Sequence, residues 1–417
     1  MQLTAFFGYG ARRRRRRPRV NAWFNNLAFP TRIFSVCRGA AVNISAFSPL
    51  ESYRGGIAVA ISGHDLKPKP GGGQRFSVRA RAPLRLGLAG GGTDLSPYCD
   101  EHGGAILNAT IGRYAYAHLS FRRDHQLCFA AHDVKQEDHT PLAAELPLDR
   151  GLLLHRAVHN RMVRDYLHGR VPAIALTTTV DAPPGSGLGA SSALVVALVE
   201  AYRAAFSLPL GRYDVARLAF EIERIDLALA GGRQDQYAAA FGGVNFMEFL
   251  PGDRVIVNPL RILRQFLNEF EASLIVCFTG ESRASAIIQD QVKAATEHDR
   301  TALEAMHQLK SDAVDMKQAL LGGNIRHIAE VLNRSWQAKR KTSKSVSNAK
   351  VEEIFALGLK NGAVAGKVSG AGGGGFLMFM TDPEHRYRLV TALSEAGASA
   401  SPVQFTDAGA ESWAITR

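Results

Sequence analysis

The 417-residue chain has little cysteine: four residues, Cys37, Cys99, Cys128 and Cys277, with no Cys-x-x-Cys pair among them. That scarcity argues against structural zinc and against a disulfide framework, and it fits a reducing, cytoplasmic compartment. Long apolar runs are missing too; no uninterrupted stretch approaches the roughly 18 residues of a membrane span, so no membrane partner is expected. Gly-Lys-Ser and Gly-Lys-Thr do not occur, which excludes a Walker A loop. His155, His159 and His168 give no usable metal-ligand pattern, because the i, i+4 pair His155/His159 has no further ligand to complete it. What remains is a globular composition, 46% hydrophobic and 21% charged, in a chain long enough to bury a core without staples.

Acidic residues are absent before Glu51, and this sets the charge balance. Residues 1–80 hold fourteen of the fifty Lys and Arg, six of them consecutive at Arg12–Arg17, against Glu51 and Asp65 alone. The whole net charge of +12 therefore sits there, and residues 81–417 carry 36 side chains of each sign. A neutral body is not built to hold a polyanion, so no nucleic-acid partner is expected. Residues 1–75 read as a disordered Arg-rich extension or a start site placed too early. A targeting peptide or an arm for an anionic partner are weaker readings, because adjacent arginines spoil amphipathic periodicity and no apolar region with a cleavage site follows.

Order is expected from Phe76. The stretch Phe76–Ala82 alternates as a strand and runs into Gly90-Gly-Gly-Thr-Asp94, with further strands at 105–119 and 173–180. Apolar residues at Ala190, Ala193, Leu194, Ala197, Leu198 and Ala201 predict one buried helix face, and a second helix is predicted from Tyr213 to about Leu229. Beyond these come a strand at 273–279, helices over 283–321, 324–339 and 349–360, a strand–turn–strand at 362–380, a helix at 383–395 and two terminal strands. Strands and helices without regular βαβ alternation indicate an α+β fold. Domains are expected at 76–255 and 256–417, with Pro251–Pro259 as the junction.

Three glycine-rich strings carry the chemistry. Glycine lets a backbone approach an anion closely and aim several N–H groups at it. Pro183-Pro-Gly-Ser-Gly-Leu-Gly-Ala-Ser-Ser-Ala193 runs into a predicted helix, whose positive end suits a triphosphate; a serine-capped buried helix is the plainer alternative. Gly370-Ala-Gly-Gly-Gly-Gly375 formally satisfies G-x-G-x-x-G, but the strand-like Phe376-Leu-Met-Phe-Met380 follows where a dinucleotide fold needs a helix. The first string places Arg85 before, and Asp94 after, its glycines. Asp94 could accept hydrogen bonds from sugar hydroxyls or serve as a turn residue.

Together, in this order, the strings resemble the three motifs of the GHMP kinase superfamily over residues 76–417. Within it, Arg81 to Tyr98, Gly231-Gly-Arg-Gln-Asp-Gln-Tyr237 and Lys367 to Gly375 are most similar to the D-glycero-α-D-manno-heptose 7-phosphate kinases. Galactokinase-like members carry Glu-His where this chain has Gly91-Gly92, which makes plain galactose a poorer candidate. The resemblance implies an N-terminal domain like domain 2 of ribosomal protein S5 and a ferredoxin-like C-terminal domain. It also implies ATP and Mg2+ as cofactors, and transfer to the anomeric hydroxyl of heptose 7-phosphate, giving the 1,7-bisphosphate of nucleotide-activated heptose synthesis. Another anomeric sugar kinase, acting on a fucose-like hexose, and an inactive sugar sensor on the same fold are the alternatives. Keeping Ser192, Glu223 and Asp235 together speaks against the sensor. A homodimer is left open.

By motif position, Asp235 and Arg85 are the expected catalytic residues, and Pro184, Gly185, Ser186, Gly187, Leu188, Gly189, Ala190, Ser191 and Ser192 the expected ATP cradle. Ser192 and Glu223 are the expected magnesium ligands, a hard ion needing only one or two protein oxygens; Glu221 competes with Glu223, and Asp235 could merely cap a helix. For the sugar phosphate, Gly91, Gly92, Thr93, Asp94, Gly372 and Gly373 are expected. Arg283 and Lys341 stand for two basic clusters, Thr279–Arg283 and Lys339–Lys344, that could meet the acceptor's own phosphate; solvated helix ends are the alternative.

Overall fold

The structure, a computed structural model, describes residues 76–280 and 284–416. The arginine-rich extension and Arg283 lie outside the described residues. Twelve strands are present among them: β1 (Phe76–Ala89), β2 (Gly104–Phe121), β3 (Gln126–Ala131), β4 (Gln136–Pro141), β5 (Ile174–Val180), β6 (Val244–Leu250), β7 (Arg254–Pro259), β8 (Leu274–Phe278), β9 (Ala363–Val368), β10 (Phe376–Thr381), β11 (Ser399–Pro402) and β12 (Glu411–Thr416). They form two sheets, so the α+β class holds.

The first sheet runs β12-β1-β2-β5-β3-β4, with β6 also paired to β2 and β7 to β6. Along β1, Val78, Ala80 and Ala82 are buried between half-buried neighbours, the period of two that a strand dictates, and from Pro83 onward every residue is buried. The long β2 serves two neighbours, Gly104–Ala109 pairing with β6 and Ala115–Phe121 with β5. The β1–β2 register shifts at Pro83/Leu84 and again at Gly87/Ala89. Irregularities of this kind bend a strand and re-aim its side chains, and Arg85 lies between them.

The helix Ala190–Ala205 packs on β1 and β2. It is buried beyond the predicted stripe, since Val195, Val196, Val199 and Tyr202 are also inside. The cause is that helices Leu153–Asp165, Arg212–Glu221 and Gln234–Phe241 cover its other sides. His155 and His159 belong to this core. His155 bonds Thr178 Oγ1 at 2.9 Å and burial brings it down to about 4; His159 bonds the Tyr202 hydroxyl.

The second sheet, β11-β8-β10-β9, is antiparallel throughout. Its central strands, β8 and β10, are apolar on both faces. Ile275, Cys277, Leu377 and Phe379 meet Trp336, Ile354, Leu389 and Leu393, while Leu274, Val276, Met378 and Met380 join the larger core. This explains the unbroken apolar run of β10, since a strand covered on both faces has no reason to alternate. Each large side chain buried this way contributes about 1.5–3 kcal/mol.

Three expectations are corrected. The helix from Tyr213 ends at Glu221 and continues as one wider π turn, Ile222–Asp226; such turns re-aim side chains and occur often at functional sites. The segment 283–321 is two helices, Ala284–Thr296 and Arg300–Leu321, because Asp299 caps the second through Ala302 N. The stretch 251–259, read as a junction, is the turn and second strand of the β6–β7 hairpin. In addition, β12 returns to the first sheet beside β1.

Candidate active site

The three glycine strings converge on one cavity of about 510 Å³. Two of them hold each other. Ser369 Oγ donates to Gly187 O at 3.1 Å, and Phe376 N donates to Ser186 O at 2.9 Å. Gly187 has φ 79°, and a Cβ there would lie 2.6 Å from the Ser369 carbonyl, so only glycine fits this crossing. The helix Ala190–Ala205 starts from Gly189 with no side-chain cap. Its first N–H groups are left to whatever anion lies at that end.

Arg85 is 4% exposed and sits beneath this loop. Its Nε donates to Asp235 Oδ1 at 2.6 Å and its Nη1 to Gly187 O at 2.7 Å. Asp235 stands in the first turn of helix Gln234–Phe241 and packs against Gly189. The pair thus joins β1, the phosphate-type loop and a third element, and Asp235 faces the cavity.

Asp94 is buried, and its Oδ2 accepts from Arg233 N at 2.9 Å and Gln234 N at 3.0 Å. It caps the helix start of a distant segment, and burial raises its pKa. Gly232 must be glycine here, because a Cβ would overlap the Asp94 carboxylate. Across the cavity Lys339, 4% exposed, donates to Gly91 O at 2.9 Å. Behind it Lys367 donates to Leu88 O at 3.3 Å. Neither ammonium pairs with a carboxylate among the described residues. Burial brings Lys339 down to about 8 and Lys367 to about 7, each further lowered by its cationic neighbours.

Beneath the loop, Gln236 Nε2 donates to Glu223 Oε2 at 2.5 Å and to Ser192 Oγ at 3.1 Å. Glu223 Oε1 and Gln236 Oε1 are buried without a partner. Unpartnered buried oxygens beside a hydroxyl are a donor set that wants positive charge, and their chemistry would fit a magnesium ion. The π turn at Ile222–Asp226 aims Glu223 inward, whereas Glu221 goes to Arg161 and Arg217.

Pro184, Gly185, Ser186, Gly187, Gly189, Ala190 and Ser191 line the cavity, as do Arg85, Gly92, Asp94 and Asp235. Among the described residues, the other expected ones do not. Leu188 is core, and Thr93 is fully buried with its hydroxyl on Gly90 O and Ala105 O. Gly372 and Gly373 turn onto Val346, where Gly373 N donates to Val346 O at 2.7 Å, and Gly370 and Ala371 take the wall in their place. Lys341 is exposed; Lys339, two residues back, is the member of that cluster that enters the site. Sequence reasoning also missed Gln236, Gln291 and the apolar wall of Val134, Leu152 and Leu154. Only the helical phase of Lys339 offered a signal.

Residues 153–243 match the GHMP kinases N terminal domain and residues 316–399 the GHMP kinases C terminal domain. A D-glycero-alpha-D-manno-heptose 7-phosphate kinase of Campylobacter jejuni is 43% identical over 339 residues, 81% of this chain and 99% of that protein. The chain belongs to the GHMP kinases. A crystal structure of a D-glycero-D-manno-heptose 1-phosphate kinase from Bacteroides thetaiotaomicron superposes on this kinase with a TM-score of 0.70, at 43% identity, covering 81% of this chain and 99% of that one. A bifunctional fucokinase/GDP-fucose pyrophosphorylase of Arabidopsis thaliana is 26% identical over 76% of the chain and 31% of its own length. This kinase is therefore a sugar phosphotransferase of the heptose-kinase type, in a family that uses ATP. No helix among its described residues is long and apolar enough to cross a membrane.

Proposed function

We propose that this kinase transfers the γ-phosphoryl group of ATP to the anomeric hydroxyl of D-glycero-D-manno-heptose 7-phosphate, giving the 1,7-bisphosphate and ADP. The observation that carries the proposal is the Arg85–Asp235 pair, set in one wall between the glycine loop and the Asp94 side of the cavity. In this reading the triphosphate lies on the N–H groups of residues 185–191 and its base against Val134, Leu152 and Leu154. Asp235 orients the anomeric hydroxyl and receives its proton as the oxygen–phosphorus bond forms and the bond to the β-phosphate oxygen breaks. Arg85 fixes the carboxylate and holds Gly187, so nucleophile and donor are positioned by one side chain. A carboxylate is a weak base for a sugar hydroxyl, but in a loose transition state the proton leaves late and orientation dominates. Glu223 and Ser192 would hold magnesium, whose contribution is to neutralise charge on the phosphates.

The test is phosphorus NMR of the full chain with Mg-ATP and heptose 7-phosphate. A new anomeric phosphate ester beside a retained 7-phosphate is the expected result. ADP formed only with sugars that carry no phosphate would overturn the substrate assignment.

A further inference from the structure

A second cavity of about 480 Å³ opens off the main one and shares its walls at Asp94, Leu95, Gly231 and Ile288. The phosphoryl transfer described above makes no use of it. Among the described residues its cationic lining is Arg224, Arg233 and Lys293, and its one carboxylate is Asp94. Both Asp94 oxygens are already engaged, Oδ2 by two backbone N–H groups and Oδ1 by Gln234 Nε2 at 3.2 Å. An anion in this cavity would thus not face a free carboxylate.

Arg233 is 8% exposed. Its Nη2 lies 2.8 Å from Asp253 Oδ1, 3.5 Å from Asp100 Oδ1 and 3.4 Å from Ser96 Oγ. Its Nη1 is buried and has no acceptor among the described residues. The Asp253 side chain is 77% exposed, so solvent screens that pair heavily. Among the described residues Arg224 hydrogen-bonds only the carbonyls of Leu229, Ala230 and Gly232 at 3.3–3.4 Å, with Glu223 at 3.8 Å. Two enclosed guanidinium groups with donors to spare are a receptor for a phosphate, whose oxygens match that planar fork.

Position points the same way. Arg233 and Asp235 flank Gln234 at one helix start. Asp235 turns to Arg85 and the glycine loop, while Arg233 turns into the second cavity. Asp94 lies between them, shared by both cavities. A sugar with its reacting hydroxyl at Asp235 that passes Asp94 carries its far end to Arg233.

We infer that the second cavity receives the non-reacting phosphate monoester of the acceptor sugar, with Arg233 as its main ligand, Arg224 beside it and Lys293 at the mouth. This rests on the sugar-phosphate reading above and supplies the residues that make the phosphate a requirement. It also moves that role away from Lys341.

The test is steady-state kinetics of the full chain on heptose 7-phosphate and on the same heptose without its phosphate, for the unaltered kinase, Arg233→Gln, Arg233→Lys and Lys293→Ala. Arg233→Gln should lower kcat/KM for the phosphorylated sugar about 30- to 100-fold, the range of a lost charge-assisted hydrogen bond. It should change kcat/KM for the unphosphorylated sugar and KM for ATP less than about threefold, with partial recovery in Arg233→Lys. Lys293→Ala, on an exposed side chain that folding does not need, should show the same selectivity at about threefold to fivefold. Equal losses on both sugars, in either variant, would reduce Arg233 and Lys293 to structural residues and overturn the inference alone. An unaltered kinase that prefers the unphosphorylated sugar would overturn the substrate reading and the phosphate cavity together.

Discussion

The two ends of the main cavity are made in different ways. The glycine-loop end comes from one unbroken string, 184–191, closed by a crossing with Ser369–Gly370, and in the proposed reading its working groups are backbone N–H donors. The opposite end gathers Gly92 and Asp94 after β1, Gln234 and Asp235 from one helix, and Lys339 from the end of another. Its working groups are side chains, and each is held by a partner far away in sequence. Backbone donors can hold any phosphate with similar geometry, so one string suffices for that end. Side chains assembled from dispersed segments can be exchanged one at a time, and there substrate choice can change without disturbing the rest.

Removing the charge at the junction of the two ends should have the largest effect. Asp235→Asn keeps the shape of the side chain but loses its anionic partner for Arg85 and its acceptor for the hydroxyl proton. We expect turnover to fall about 10³-fold or more, with ATP affinity near normal, measured by kcat and by nucleotide titration. A variant that kept most of its turnover would mean that another group orients the hydroxyl. One that lost ATP binding as well would mean the two ends are not separable.

That contrast also explains what the sequence revealed. The shape of the glycine-loop end was legible because it is written in consecutive residues, and the helix Ala190–Ala205 begins where the string predicts. The strand after the last glycines was legible for the same reason, and β10 stands where a dinucleotide fold would need a helix. The other end was only partly legible. Thr93 sits inside a string that resembles a substrate motif, yet its hydroxyl ties Gly90 to Ala105 across a turn. Gly372 and Gly373 share a loop with Gly370, but their backbone is spent on Val346. Gln236 escaped because nothing in a single sequence says that an amide will lie between Ser192 and Glu223. The π turn that aims Glu223 inward has no periodic signal of its own.

The lysine pair behind the side-chain end should appear in stability, at a smaller scale. Lys367 and Lys339 titrate at about 7 and about 8 in the folded chain, against an ordinary value near 10.5. Below about pH 7 both states carry the protons, and the fold bears the full cost of two enclosed charges. Between about pH 7 and 10.5 the unfolded chain keeps protons that the folded chain has released, so stability rises with pH. From pH 6 to 9 the rise should be about 2–4 kcal/mol, read from urea unfolding without nucleotide. Lys367→Met should flatten the curve and be the more stable protein at pH 6, as expected when a buried charge gives way to an apolar side chain. A parallel curve for the variant would show that Lys367 is neutralised some other way.

The smallest effect is the most discriminating, because it concerns neighbours in one basic run. In helix Ile325–Lys341 the buried positions are Ile328, Ala329, Val331, Leu332, Ser335, Trp336, Ala338 and Lys339, and Ile328, Val331, Leu332, Ser335, Trp336 and Lys339 among them follow the i, i+3, i+4, i+7 stripe of a packed helix. Lys339 lies on that stripe and Lys341 about 200° around from it at 3.6 residues per turn. A run such as Lys339-Arg-Lys341 looks uniform in composition, yet only the member on the apolar stripe can reach the interior. Lys341→Ala should therefore change kcat and both KM values less than about twofold, the ordinary result for an exposed charge. Lys339→Ala should lower kcat/KM for the sugar about tenfold, since it removes the donor that holds Gly91 O and the cation facing Asp94. Equal effects from the two substitutions would mean that the helix rotates or unwinds at its last turn when substrate binds, and the phase argument would fail at the point where it is most specific.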